Sequence, residues 1–135
     1  DKSEDVTVED GGDTIHLEGN CWRRTEQTFE VTADTVLEFD FMSTVEGEIH
    51  GIGFDEDDEL TNDHRIFQLL GSYIWDNAIQ VSPGYGSSDM GTWVHFTIPV
   101  GQYYTGTGMY LVFVNDHDAS PANANSRFRN VQVRD

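Results

Sequence analysis

The sequence predicts an all-β fold: a single-domain antiparallel β-sandwich of jelly-roll type. Three observations predict it. Apolar and polar residues alternate with a period of two along most of the chain. Turn-forming residues recur at short intervals between those runs, and no stretch of about a dozen residues carries a helical stripe. A length of 135 residues fits one domain.

In chain order, residues 1–11 are read as an acidic amino-terminal segment or linker remnant and 12–135 as the sandwich. Thr14–Leu17 and Thr28–Val31 are short strand candidates, set off by Gly11-Gly12, Glu18-Gly19-Asn20 and Ala33-Asp34. Val36-Leu37-Glu38-Phe39-Asp40-Phe41 puts Leu37, Phe39 and Phe41 on one face and Glu38 and Asp40 on the other. Ile49–Phe54 and Arg65–Leu70 follow, the first with glycines at alternate positions. In Trp93–Ile98, Val94, Phe96 and Ile98 take the core face, so Trp93 and His95 point away from it. Tyr110-Leu111-Val112-Phe113-Val114 is the continuous apolar run expected of a strand buried on both faces. Phe128–Arg134 is the last candidate.

Charge narrows the function classes. The chain carries 25 Asp+Glu against 7 Lys+Arg, a formal net charge of −18, and Lys2 is its one lysine. Such a surface repels phosphate backbones and anionic headgroups, so neither nucleic acid nor membrane is an expected partner. No apolar run approaches the ~20 residues of a membrane span. Low lysine with high aspartate suits a halophilic protein hydrated in molar salt, where a Debye length of ~3 Å screens the self-repulsion. The single cysteine, Cys21, excludes an intrachain disulfide and a cysteine zinc cluster. The first five residues contain no apolar signal-peptide core, so any targeting segment is expected to be already removed.

Three features could carry chemistry. Asp55 and Asp57, at the end of one strand, and Asp116 and Asp118, after the apolar run, place paired carboxylates where a hard cation such as Ca²⁺ gathers its oxygens. The alternative is a solvated acidic loop. The aromatic set Trp22, Trp75 and Trp93, with Tyr73, Tyr85, Tyr103 and Tyr104, offers flat faces on which the C–H face of a sugar can stack. Asn77 is a plausible polar rim, and core packing is the alternative for each ring. His50 and Arg65 sit on strands where either a groove or the core could receive them: His50 as ligand donor or structural histidine, Arg65 as ligand donor or ion-pair partner. The bare face left by Gly51 and Gly53 admits either a ligand or another backbone.

The segments Leu17–Trp22, Glu48–Asp55, Ile98–Gly106, Phe113–Asp118 and Phe128–Val131 together resemble calcium-containing β-sandwich carbohydrate-binding modules of secreted polysaccharide-degrading enzymes. The resemblance runs from about Gly12 to Arg134. It implies a non-catalytic, extracellular module, monomeric in isolation, that carries Ca²⁺ and holds the rest of a larger multidomain secreted protein near polysaccharide or oligosaccharide. A jelly-roll polysaccharide lyase, with His50, Tyr103 and Arg65 as base, proton donor and carboxylate neutraliser, is the enzymatic alternative. Paired carboxylates of a glycosidase would serve the same class. A calcium-stabilised adhesion domain is the third reading. On charge alone, an acidic polysaccharide is a poor ligand unless a cation bridges it.

Overall fold

The computed structural model describes residues 5–9, 11, 13–56, 65–118 and 121–135, with only the backbone of 5–9. Among the described residues ten strands form: β1 (Asp5–Glu9), β2 (Thr14–Glu18), β3 (Cys21–Val31), β4 (Val36–Met42), β5 (Ile49–Asp55), β6 (Ile66–Leu70), β7 (Ala78–Gln80), β8 (Val94–Ile98), β9 (Gly106–Asp116) and β10 (Asn125–Arg134). They make two five-stranded sheets, ordered β1-β2-β10-β4-β8 and β3-β9-β5-β6-β7. Pairing is antiparallel throughout except for the parallel β6–β7 ladder. The expected β-sandwich is the observed architecture.

Alternation explains which face each strand buries. Leu37, Phe39 and Phe41 of β4 are fully buried, as are Phe54 of β5 and Phe128 of β10, and they meet between the sheets. Phe41 is central there, with ring centroids 4.9 Å from Tyr85 and 5.1 Å from Phe128. Burying each such side chain contributes roughly 1.5–3 kcal/mol, which is why a period-two pattern is enough to drive the two sheets together.

Two strands escaped the sequence pattern. Residues 5–9 of the acidic segment pair in register with β2, from Asp5 opposite Glu18 to Glu9 opposite Thr14. Its valines are too few to mark a strand, and the free edge of β2 provides the ladder. β7, three residues long, is likewise recruited by β6.

Local alternation also fails at one place that matters later. Arg129 lies opposite Asp40 and Gln132 opposite Glu38, so β10 spends three residues where β4 spends two. The extra residue is taken up at a bulge where Asn130 has φ 54°, a left-handed conformation that asparagine tolerates better than most side chains. Without the bulge, Arg129 and Arg134, five positions apart, would point to opposite faces. With it, both reach the outer face.

Candidate functional sites on two separate surfaces

One end of the β3-β9-β5-β6-β7 sheet gathers acids. Asp116 closes β9 opposite Ile49, so Glu48, one residue before β5, comes beside Asp116 and Asp118. Carboxylate oxygens of Glu48, Asp116 and Asp118 lie within 4.8 Å of one another, the one such group of three among the described residues. Asp118 N–H donates to Glu48 Oε1 at 2.7 Å, and Asn20 Nδ2 donates to Asp118 Oδ1 at 2.7 Å. Three carboxylates this close together could hold a metal ion as part of its shell.

A buried polar network holds the loops that bear these acids. Gly47 N–H donates to His50 Nε2 at 2.8 Å, His50 Nδ1–H to Ser126 Oγ at 2.7 Å, and Ser126 Oγ–H to Asn115 Oδ1 at 2.6 Å. Asn115 Nδ2 in turn donates to the carbonyls of Gly19, at 2.6 Å, and Ala124, at 3.0 Å. The chain of donors fixes His50 as the neutral Nδ1–H tautomer, and burial pushes its pKa down to about 3. His50 is fully buried, so its role is to anchor Gly47 and hence Glu48. Gly47 itself must be glycine: a Cβ there would sit 2.6 Å from Ala124 Cβ and 2.9 Å from the Asp116 carbonyl.

The other acidic segment lies elsewhere. Asp55 is at the far end of β5 from Ile49, six residues or roughly 20 Å away, so Asp55 and Asp116 cannot share an ion. Asp55 faces Arg65 instead, at 3.3 Å, and the second arm of Arg65 reaches Glu56 at 3.2 Å. Asp57 falls outside the described residues. Tyr104, one of the aromatic candidates, locks this end instead of facing a ligand: its hydroxyl donates to the Arg65 carbonyl at 2.7 Å and accepts Phe54 N–H at 3.0 Å. Burial raises its pKa.

The remaining aromatics separate. Trp22 and Trp75 pack, half-buried, on a small outer-face cluster of Ile49, Ile66, Val112 and Val114. Gly51 and Gly53 leave room for β6 rather than for a ligand: a Cβ on Gly53 would lie 2.3 Å from the Arg65 carbonyl. Tyr73 is exposed and next to the acids, its N–H bonded to the Glu48 carbonyl at 3.1 Å. Gln68 shapes that loop by donating to the Tyr73 carbonyl and accepting Trp75 N–H. Asn77 is part-buried in the turn before β7. Tyr103 is exposed at the sandwich edge, its ring 5.2 Å from Phe67. His50, Tyr103 and Arg65 therefore do not converge on a common surface, as a lyase would require.

The second surface is the outer face of the β1-β2-β10-β4-β8 sheet. Trp93 stands on it as the alternation predicts, with the Arg129 guanidinium 3.9 Å from its ring centre. Asp40 accepts from His95 Nδ1 at 2.7 Å, Asn130 Nδ2 at 2.8 Å and Arg129 Nε at 3.2 Å. Glu38 accepts from His95 Nε2 at 3.2 Å and from Arg134 Nε. Hydrogen bonds donated to Asp40 and then to Glu38 raise the His95 pKa. Those from Arg134 and then His95 lower that of Glu38. Burial works to raise Asp40, but the bonds from His95, Asn130 and Arg129 together bring it below its ordinary value. Beside this face a groove of about 440 Å³ is lined by Ser82, Pro83, Asp89, Val94, His95 and Thr97.

Sequence reasoning missed Glu48, Glu38, Asp40, Arg129 and Arg134. The outward alternation of Glu38 and Asp40 was a usable signal. What was missing was the neighbour relation, since β4 lies between β8 and β10, strands some 55 and 90 residues away along the chain. No family model, curated protein or solved structure matches this chain.

Proposed function

We propose that this domain is a non-catalytic carbohydrate-binding module with jelly-roll connectivity, and that its glycan-binding surface is the sheet face around Trp93. The observation that carries the reading is the arrangement on that face: a tryptophan ring with the Arg129 guanidinium stacked on it, among fixed, partly exposed donors and acceptors, beside a groove. A pyranose needs both, an apolar plate for its C–H face and polar groups for its hydroxyls. The same reading makes the domain one part of a larger secreted protein, concentrating an attached activity on polysaccharide. Calcium belongs to the other surface. Glu48, Asp116 and Asp118 would hold it, and its charge would offset theirs.

Affinity gels with xylan, β-glucan, mannan, chitin and polygalacturonate test the binding. Retardation on at least one, lost in Trp93→Ala, is expected; no retardation on any refutes the reading. For the metal, saturating Ca²⁺ should raise stability by ~2.7 kcal/mol at a hundred times Kd, and EDTA should reverse it. A melting midpoint indifferent to both removes the calcium claim. A second reading, a calcium-stabilised adhesion domain, draws on the exposed Tyr73 and Ile74 beside the acids. It predicts the same calcium effect with no sugar affinity.

A further inference from the structure

The arginines are not spread evenly over this acidic chain. Of its six, Arg127, Arg129 and Arg134 all lie on β10 and project from the outer face that carries Trp93. We infer that this face takes a carboxylated glycan, a uronate-containing polysaccharide, held through the outer N–H groups of Arg129 and Arg134. The inference rests on the binding reading above and names its ligand class.

Layering supports it. The side chains of Asp40 and Glu38 are 16% and 22% exposed, whereas those of His95, Arg129 and Arg134 are 54%, 37% and 53% exposed. Carboxylates therefore form the base of the network and cations its solvent-facing layer. Both His95 nitrogens face carboxylate oxygens, which only accept, so a protonated ring finds an acceptor for each N–H. With His95 protonated, three positive groups stand over two negative ones.

The donors are also left in the right form. Each arginine commits Nε to an acid beneath it. A guanidinium has five N–H donors, and among the described residues no partner takes the terminal nitrogens of Arg129 or Arg134. That free fork matches a carboxylate in two parallel bonds, a geometry lysine cannot offer. The bulge at Asn130 is what brings both forks to one face.

The net charge of −18 opposes an anionic ligand only at long range. In about 1 M salt the Debye length is ~3 Å, so repulsion from distant acids is screened while contact-range pairs persist. The sequence left a bridging cation as the one route to an acidic polysaccharide. The arginine layer is a route that needs none.

Calorimetric titration of the folded domain with oligogalacturonate and with neutral xylo- and cello-oligosaccharides, in about 1 M NaCl with EDTA, tests the class. Oligogalacturonate should bind without calcium. Arg134→Gln, on the more exposed arginine, should weaken it about tenfold, and Arg129→Gln with Arg134→Gln should weaken it further, with unfolding midpoints followed in parallel. Uronate binding that vanishes in EDTA, or that is indifferent to both arginines, overturns the inference. Binding of the neutral oligosaccharides alone overturns the uronate class and leaves the module reading intact. If no glycan of any kind binds, the module reading itself fails.

Discussion

Removing the Asn115 side chain should do more damage than its size suggests. In Asn115→Ala, the Gly19 carbonyl and the Ser126 hydroxyl each lose a buried partner. The Ala124 carbonyl does not, because it still accepts Gly19 N–H at 2.9 Å. Two stranded buried groups at about 1–3 kcal/mol apiece give a loss of about 2–6 kcal/mol, a large part of a typical 5–15 kcal/mol stability. Ser126→Ala also strands two, His50 Nδ1–H and Asn115 Oδ1. The double variant strands only the Gly19 carbonyl and His50 Nδ1–H, because the other two groups are gone. It should therefore cost about as much as either single change, falling short of the sum by the worth of two stranded groups, about 2–6 kcal/mol. Urea unfolding reads this directly, as midpoint shifts with an unchanged m-value. If the two losses simply add, Ser126 and Asn115 are not links of one chain and the network argument is wrong.

Other expectations concern titration, packing and backbone. His50 stays neutral in the fold, with a pKa of about 3, and ionises near 6.5 when unfolded, so the unfolded chain binds the extra proton between those values. Stability should fall as pH drops below about 6.5, by up to ~1.4 kcal/mol per unit, a slope that His50→Gln removes. His95 works in the opposite sense: its raised pKa stabilises fully below about 6.5 and the effect is lost as pH rises through its folded value. NMR titration should place the His95 midpoint above 6.5 and find His50 unprotonated at pH 5; the reverse order would refute both environments. Gly53→Ala, whose Cβ would strike the Arg65 carbonyl, should cost about 3 kcal/mol in unfolding free energy, and a neutral result would mean β6 is not seated as described. Phe41→Ala, at the centre of the aromatic core, should cost about 3–5 kcal/mol in the same assay. Asn130→Val should lose about 1–2 kcal/mol while Asn130→Gly loses less, and equal losses would refute the left-handed bulge.

The same physics divides what could be read from the sequence from what could not. Side-chain direction along a strand is local, set by a period of two, so the inward Leu37, Phe39 and Phe41 and the outward Trp93 were legible, and with them the two-sheet class. Asp116 and Asp118 were legible as a cluster for a similar reason, being two residues apart. Alternation breaks where a strand gains a residue, and nothing local marks the Asn130 bulge that turns Arg134 outward. Glycine spacing in β5 showed that something approaches closely, but only the β5–β6 register shows that it is backbone.

Partners distant in sequence were beyond reach. Glu48 joins Asp116 and Asp118 because β5 pairs with β9, and His50 is a buried anchor because Ser126 arrives on β10, 76 residues later. Arg65 meets Asp55, so one of the two acidic segments is answered by a guanidinium while the other gathers three carboxylates. Sequence by itself determined composition, charge, strand faces and fold class, because those follow from each residue and its immediate neighbours. Strand order decided which acids, arginines and rings share a surface, because proximity across a sheet depends on long-range pairing that no local pattern encodes.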